Sequence, residues 1–194
     1  MNKLIVVAGV AGSGKSYIGK ELVKKLTNVV YLDKDTMTRF IVDKALSCLG
    51  SNETDRESDL YLNELRPLEY KCLLKQAEEN LELGVPCLIS APFIKEIYDD
   101  NYFNELKEEL EFYDASLKII WVYTDEETAR QRILDRNAKR DYNKIHNWNE
   151  YIKTVKHEKE PNKNLDMFII DNRIIPTEPL EIQLNKAVEY IKKD

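Results

Sequence analysis

Eight consecutive residues, Gly9-Val10-Ala11-Gly12-Ser13-Gly14-Lys15-Ser16, set small residues, one cation and one hydroxyl in the spacing G-x-x-x-x-G-K-[ST]. Glycines let backbone N–H groups close around phosphate oxygens where a side chain would obstruct them. An apolar run, residues 4–8, precedes the loop, and an amphipathic stretch bearing Ile18, Leu22, Val23 and Leu26 follows it. A strand feeding a helix in this way aims the positive helix N-terminus at the same phosphates. Lys15 is then placed to reach the β- and γ-phosphates of a nucleoside triphosphate, and the Ser16 hydroxyl to ligate Mg²⁺. Gly9, Ala11, Gly12, Ser13, Gly14, Lys15, Ser16 and Tyr17 are the expected nucleotide-binding residues.

A pair of carboxylates follows. Tyr31-Leu32-Asp33-Lys34-Asp35 places two acids two residues apart where the next apolar run ends. On an extended segment such residues face the same side, so both are expected to point toward the phosphate loop. One can hold Mg²⁺ directly or through water, and the other can accept the proton of an attacking hydroxyl. Asp33 is expected beside the Ser16 hydroxyl, with Asp35 facing an open cleft. The competing expectation is that Asp35 or Thr36 merely caps the next helix.

A third cluster is basic. Residues 130–163 carry ten Lys or Arg against five acids, leaving 19 basic and 30 acidic residues elsewhere in a chain of net charge −6. An acidic body with one basic segment argues for a local anion site and against a general nucleic-acid coat. Arg132, Arg136 and Arg140 recur at i, i+4 and i+8, which puts them on one face if the helix runs unbroken. A row of guanidiniums can neutralise a phosphoryl group in flight. The lysines of this segment are expected to be a solvated face.

The elements that must position these groups alternate. Apolar runs at residues 4–8, 29–32, 86–90, 117–123 and 166–170 are rich in Val and Ile and mostly lack period-two alternation, as strands buried on both faces do. Helical patterns lie near 15–26, 35–48, 58–83, 95–112, 125–140, 147–159 and 178–192, with Gly84-Val85-Pro86 closing the third. The alternation predicts a three-layer α/β sandwich of about five parallel strands with helices on both faces. One domain is expected over 1–194, with an arginine-rich helical lid near 125–160. The composition is that of a globular chain, and no apolar run approaches the ~20 residues of a membrane helix. The first run lacks a cleavage site and is expected to be a strand rather than a secretory leader. Cys48, Cys72 and Cys87 lack metal-ligand spacing and read as reduced thiols, in keeping with a cytoplasmic location.

Missing motifs narrow the class. Asn162-Lys163-Asn164-Leu165 lacks the Asp that a guanine reader carries at its fourth place. The stretch 119–126 resembles the apolar strand and acids of motor ATPases, but Thr124 with Glu127 reads better as a capping box. His146 and His157 have no partner at recognisable spacing.

Taken in order, residues 9–16, Asp33-x-Asp35 and the segment Arg136-Asn137-Ala138-Lys139-Arg140 resemble the small P-loop kinases over about 170 residues. The D-x-D is shared with shikimate and gluconate kinases, and the arginine segment is similar to the lid of the 5′-polynucleotide kinase domain. The resemblance implies ATP with Mg²⁺ at Lys15, Ser16 and Asp33, with Asp35 as general base. It further implies nucleotide contacts from Arg132 and Arg136, and phosphate clamping by Arg136 and Arg140. It makes a small hydroxylated molecule the expected acceptor; a nucleic-acid or nucleotide 5′-kinase and a nucleotide-dependent regulatory ATPase are the alternatives. No matching acceptor-site residues stand between Thr36 and Asn63, and no aromatic-plus-basic stretch offers a single-strand platform. Ser90-Ala91-Pro92-Phe93 either lines the site or ends a strand. Trp148 and Tyr151 are expected to pack in the core or at the lid hinge.

Overall fold

The computed structural model describes residues 2–193. Five parallel strands form one sheet: β1 (Asn2–Ala8), β2 (Val30–Asp33), β3 (Cys87–Ser90), β4 (Ala115–Tyr123) and β5 (Met167–Asp171). Their order is β2-β3-β1-β4-β5, so β1 is central and the chain winds outward in both directions from it. The helices are α1 (Lys15–Lys25), α2 (Lys34–Cys48), α3 (Arg66–Glu82), α4 (Asp100–Glu111), α5 (Glu126–Arg136), α6 (Tyr142–His146), α7 (Trp148–Lys153) and α8 (Leu180–Lys192).

The uninterrupted apolar runs have a simple cause: alternate residues of each strand feed different cores. Leu4, Val6 and Ala8 join Ile89 and Trp121 in a core closed by Leu73, Ala77 and Leu81 of α3 and by Phe103 and Leu110 of α4. Ile5 and Val7 face the other way, with Leu88, Ile120 and Val122, against Ile18 and Leu22 of α1 and Leu184 and Val188 of α8. Both faces are therefore dry, and polar alternation would be costly on either.

Three expected helices are interrupted. The pattern near 58–83 divides into a π-helical segment, Leu60–Leu65, and α3. Pro67 stands in the first turn of α3, where its missing N–H is tolerated but an unbroken α-ladder through it is not. The pattern near 95–112 begins with a 3₁₀ turn, Glu96–Tyr98, before Asp99 caps α4 by accepting the Asn101 N–H at 3.0 Å. The pattern near 125–140 ends at Arg136, where Asn137 turns left-handed at φ 42°. The start of α5 also differs from the capping box expected at Thr124: Asp125 is the cap, accepting the Thr128 N–H at 2.8 Å. α7 stops at Lys153, short of the expected 159.

Candidate active site

The carboxyl ends of β1, β2 and β3 open onto a cleft of about 780 Å³, at the switch point where ligands bind in such sheets. Its floor is the loop between β1 and α1. The Ser13 carbonyl accepts the Asn172 Nδ2 amide at 2.7 Å and Arg132 Nη1 at 3.3 Å; Arg132 also reaches the Gly12 carbonyl at 3.4 Å. Because the peptide is planar, this anchoring fixes the orientation of the Gly14 N–H as well. Gly12 has φ +79°, and a Cβ there would lie 2.5 Å from the Ala129 carbonyl oxygen, so only glycine lets the loop lie against α5. Lys15 Nζ donates to the Val10 carbonyl at 3.0 Å. Burial lowers its pKa to about 8, partly offset by Asp35 and Asp33.

Ala11, Gly12, Gly14, Lys15, Ser16 and Tyr17 line the cleft, whereas Gly9 and Ser13 are buried beneath it. The Gly9 N–H donates to the Pro92 carbonyl at 3.1 Å, while Ser90, Ala91 and Pro92 line the wall just beyond β3. That segment therefore both ends a strand and lines the cleft.

The segment after β2 is not extended through Lys34, contrary to the sequence expectation. α2 begins at Lys34, because Asp33 is its N-cap: Oδ1 accepts the Thr36 N–H at 3.0 Å. The other oxygen, Oδ2, accepts the Ser16 hydroxyl at 2.8 Å and Tyr31 Oη at 3.0 Å. Asp35 consequently sits in the first helical turn, yet it still lines the same cleft as Asp33. Its side chain is 45% exposed and pairs with Lys34 Nζ at 3.1 Å and Arg140 Nη1 at 2.5 Å. Burial works against the charged form, but Lys34 and Arg140 outweigh it and hold the carboxyl well below the usual range.

The three arginines do not form one helical row, since α5 ends at Arg136 and Arg140 lies in the 3₁₀ turn Lys139–Asp141. All three nevertheless line the cleft. Arg132 braces the phosphate loop, Arg140 holds Asp35, and Arg136 makes two bonds, 2.6 and 2.7 Å, to the buried Asp141. The left-handed Asn137 allows this closure by folding the chain back after α5.

Sequence reasoning missed the wall opposite the phosphate loop. Lys34 is buried and its amine reaches Glu69 at 2.9 Å; Glu69, only 3% exposed, also accepts Tyr61 Oη at 2.7 Å and Thr38 Oγ1 at 2.5 Å. Burial alone would drive Lys34 toward neutrality, but Asp35 and Glu69 reverse that and raise its pKa. Arg66 bonds both Glu96 oxygens at 2.8 Å, Arg56 pairs with Asp43, and Lys144 of α6 reaches Glu57 at 2.5 Å. Tyr151 lines the cleft, while Trp148 is buried with its indole N–H on Glu126 at 2.9 Å. His157 Nδ1 bonds the Thr124 carbonyl at 3.0 Å, and His146 stacks on Tyr142. Among the described residues no His/Cys/Asp/Glu cluster forms a metal-binding group, and no helix is long and apolar enough to cross a membrane.

Fold and site together define the class: a P-loop protein with the fold of the small kinases. Residues 4–157 match the AAA domain family, and the chain belongs to it. No curated protein matches the sequence. A putative kinase from Chloroflexus aurantiacus has a similar structure, with TM-score 0.66, 15% identity, and coverage of 98% of this chain and 99% of that one. A sugar kinase from a Janibacter species gives TM-score 0.63 at 15% identity over 99% and 96% of the two chains. The Mycobacterium tuberculosis APS kinase, solved with AMPPNP and APS, gives 0.57 at 15% identity over 99% and 98%.

Proposed function

We propose that this protein transfers the γ-phosphoryl group of ATP to a hydroxyl of a small molecule. The observation that carries the reading is the division of one cleft. A phosphate loop forms its floor, and a walled compartment opens beyond it with the ionised Asp35 between the two. A regulatory ATPase that signals through a partner needs no such compartment. Kinases in the similar structures, one of them solved with an ATP analogue, support the same direction.

In this reading the phosphate loop and Lys15 hold the β- and γ-phosphates. Arg132 and Arg136 flank them, and Arg140 fixes Asp35. The acceptor oxygen bonds to the γ-phosphorus as the bridging P–O bond to ADP breaks, and the hydroxyl proton passes to Asp35. A carboxylate held this acidic is a weak base. Its main contribution is to accept the hydroxyl's hydrogen bond and aim the oxygen, with the proton leaving late, as suits a loose transition state. The exposed Ser16 hydroxyl and the Asp33 carboxylate are oxygen donors 2.8 Å apart, a set that suits a small hard cation. Mg²⁺ held there, in part through water, would neutralise charge on the transferring group. The test is ATP consumption with and without hydroxylated acceptors. Turnover that requires an acceptor and yields its phosphate ester supports the reading; hydrolysis indifferent to every acceptor rejects it.

A further inference from the structure

The two halves of the cleft treat their cations differently. At the phosphate loop, Lys15 and Arg132 form no ion pair among the described residues, and bond only backbone carbonyls. On the acceptor wall every cation is already matched. Arg66 is forked onto Glu96 at 2.8 Å, with both side chains 12% exposed. Lys144 is on Glu57, Arg56 on Asp43, Arg140 on Asp35, and Lys34 lies between Asp35 and Glu69. The wall holds further negative charge in Asp55, whose Oδ1 is engaged only by the Glu57 and Ser58 N–H groups. Glu57 also keeps one buried oxygen, Oε2, without a hydrogen-bond partner among the described residues.

We propose that the acceptor is an uncharged polyhydroxylated molecule, and that the paired wall discriminates against acceptors bearing a carboxylate, sulfate or phosphate. The proposal rests on the phosphotransferase reading above. An anionic acceptor finds no unpaired cation on this wall among the described residues. To gain one it must displace Glu57 from Lys144, or Glu96 from Arg66, which leaves the Glu96 carboxylate largely buried without its partner. Hydroxyls need no such exchange. Carboxylate and amide oxygens accept from them, Asn143 and Asn147 can donate to them, and Ile94, Val155 and Tyr151 offer an apolar face to the carbon skeleton. Charge sorting also keeps the two substrates apart, because the nucleotide's phosphates are drawn first to the unpaired Lys15 and Arg132 of the floor.

The experiment has three arms, all on the full chain. Stabilisation by ATP with Mg²⁺ comes first; its absence rejects the phosphotransferase reading itself, and its presence lets the other arms judge the wall. Next, ADP formation is followed with ribose and glucose against ribose 5-phosphate and gluconate, each pair sharing a skeleton. A neutral member at least tenfold more effective than its anionic counterpart supports the proposal, and equal or better stimulation by the anion overturns it. Finally, inorganic sulfate is titrated by thermal shift into protein saturated with a non-hydrolysable ATP analogue. Wild type should show no response, whereas Glu96→Gln, which frees Arg66, should bind sulfate at least tenfold more tightly. Glu57→Gln, which frees Lys144, gives the same reading if Glu96→Gln fails to fold. Sulfate binding by the nucleotide-loaded wild type, or no gain in a folded variant, overturns the proposal.

Discussion

The floor and the acceptor wall of one cleft are built on opposite plans. The floor is backbone: its carbonyls are tied down by Asn172 and Arg132, its glycines tolerate close approach, and Lys15 and Arg132 form no ion pair among the described residues. The wall is side chain: Lys34, Tyr61, Glu69, Arg66, Glu96, Lys144 and Glu57 satisfy one another across four separate parts of the chain. On the proposed reading, a floor that meets a fixed polyanion leaves charge waiting, whereas a wall that meets an uncharged acceptor first satisfies itself. Substitutions should therefore fail differently in the two halves.

The largest effect should come from the floor. Lys15→Ala removes the central unpaired cation and should lower phosphoryl transfer by at least ~10³-fold. Its melting temperature should not fall below that of wild type, because burial disfavours the charged amine, whose one hydrogen bond among the described residues is to the Val10 carbonyl. Retained turnover would break the contrast. On the wall the order reverses. Glu69→Ala leaves Lys34 buried with one carboxylate instead of two, and should cost about 3 kcal/mol or more in urea unfolding. ATP affinity of the folded fraction should change little.

Between the halves stands Asp35. Asp35→Asn should bind ATP normally and transfer phosphate ~10²-fold more slowly in single-turnover kinetics. Because Lys34 and Arg140 depress the pKa of Asp35, the wild-type rate should show no acid limb from this residue between pH 5 and 8.

The smallest effect sharpens the comparison by pH. Burial brings Lys15 to about 8 in the empty protein, while bound phosphates favour its charged form. ATP affinity should therefore weaken as pH rises above about 8, by up to about tenfold per unit, as read by calorimetry at pH 7 and 9. Stability runs the other way. Between about 8 and 10.5 the unfolded chain keeps a proton on Lys15 that the empty folded state has lost, so this residue makes the fold more stable as pH rises. Lys34, raised by its two carboxylates, contributes no such trend near neutrality.

The same contrast explains what could be read from the sequence. The five strands were legible because burial on both faces writes continuous Val/Ile runs, and the loop because its backbone geometry admits few residues. Asp33 lies beside the Ser16 hydroxyl and Asp35 lines the cleft, as expected, but the extended segment through Lys34 and the unbroken arginine row were wrong. Asp33 capping α2 bends the chain at Lys34, and left-handed Asn137 ends α5 before Arg140. The cap of α5 lies at Asp125, one residue beyond the expected Thr124, because the Asp125 carboxylate accepts the Thr128 N–H. The Lys34–Glu69–Tyr61 cluster and Asn172 carried no short-range signal, since a pair spanning 35 residues, or a side chain reaching back 159, is visible only once the sheet is assembled.

The central place of β1 has a consequence for how the protein is made. Its two neighbours, β3 and β4, lie at residues 87–90 and 115–123, so β1 is synthesised before either partner. At ~5–20 residues per second, roughly 5 to 21 s separate the end of β1 from the start of β4. Throughout that interval residues 2–8 form an apolar segment with no strand on the β4 side. The loop that follows β1 is thus synthesised well before the β4 side of its supporting strand can be paired.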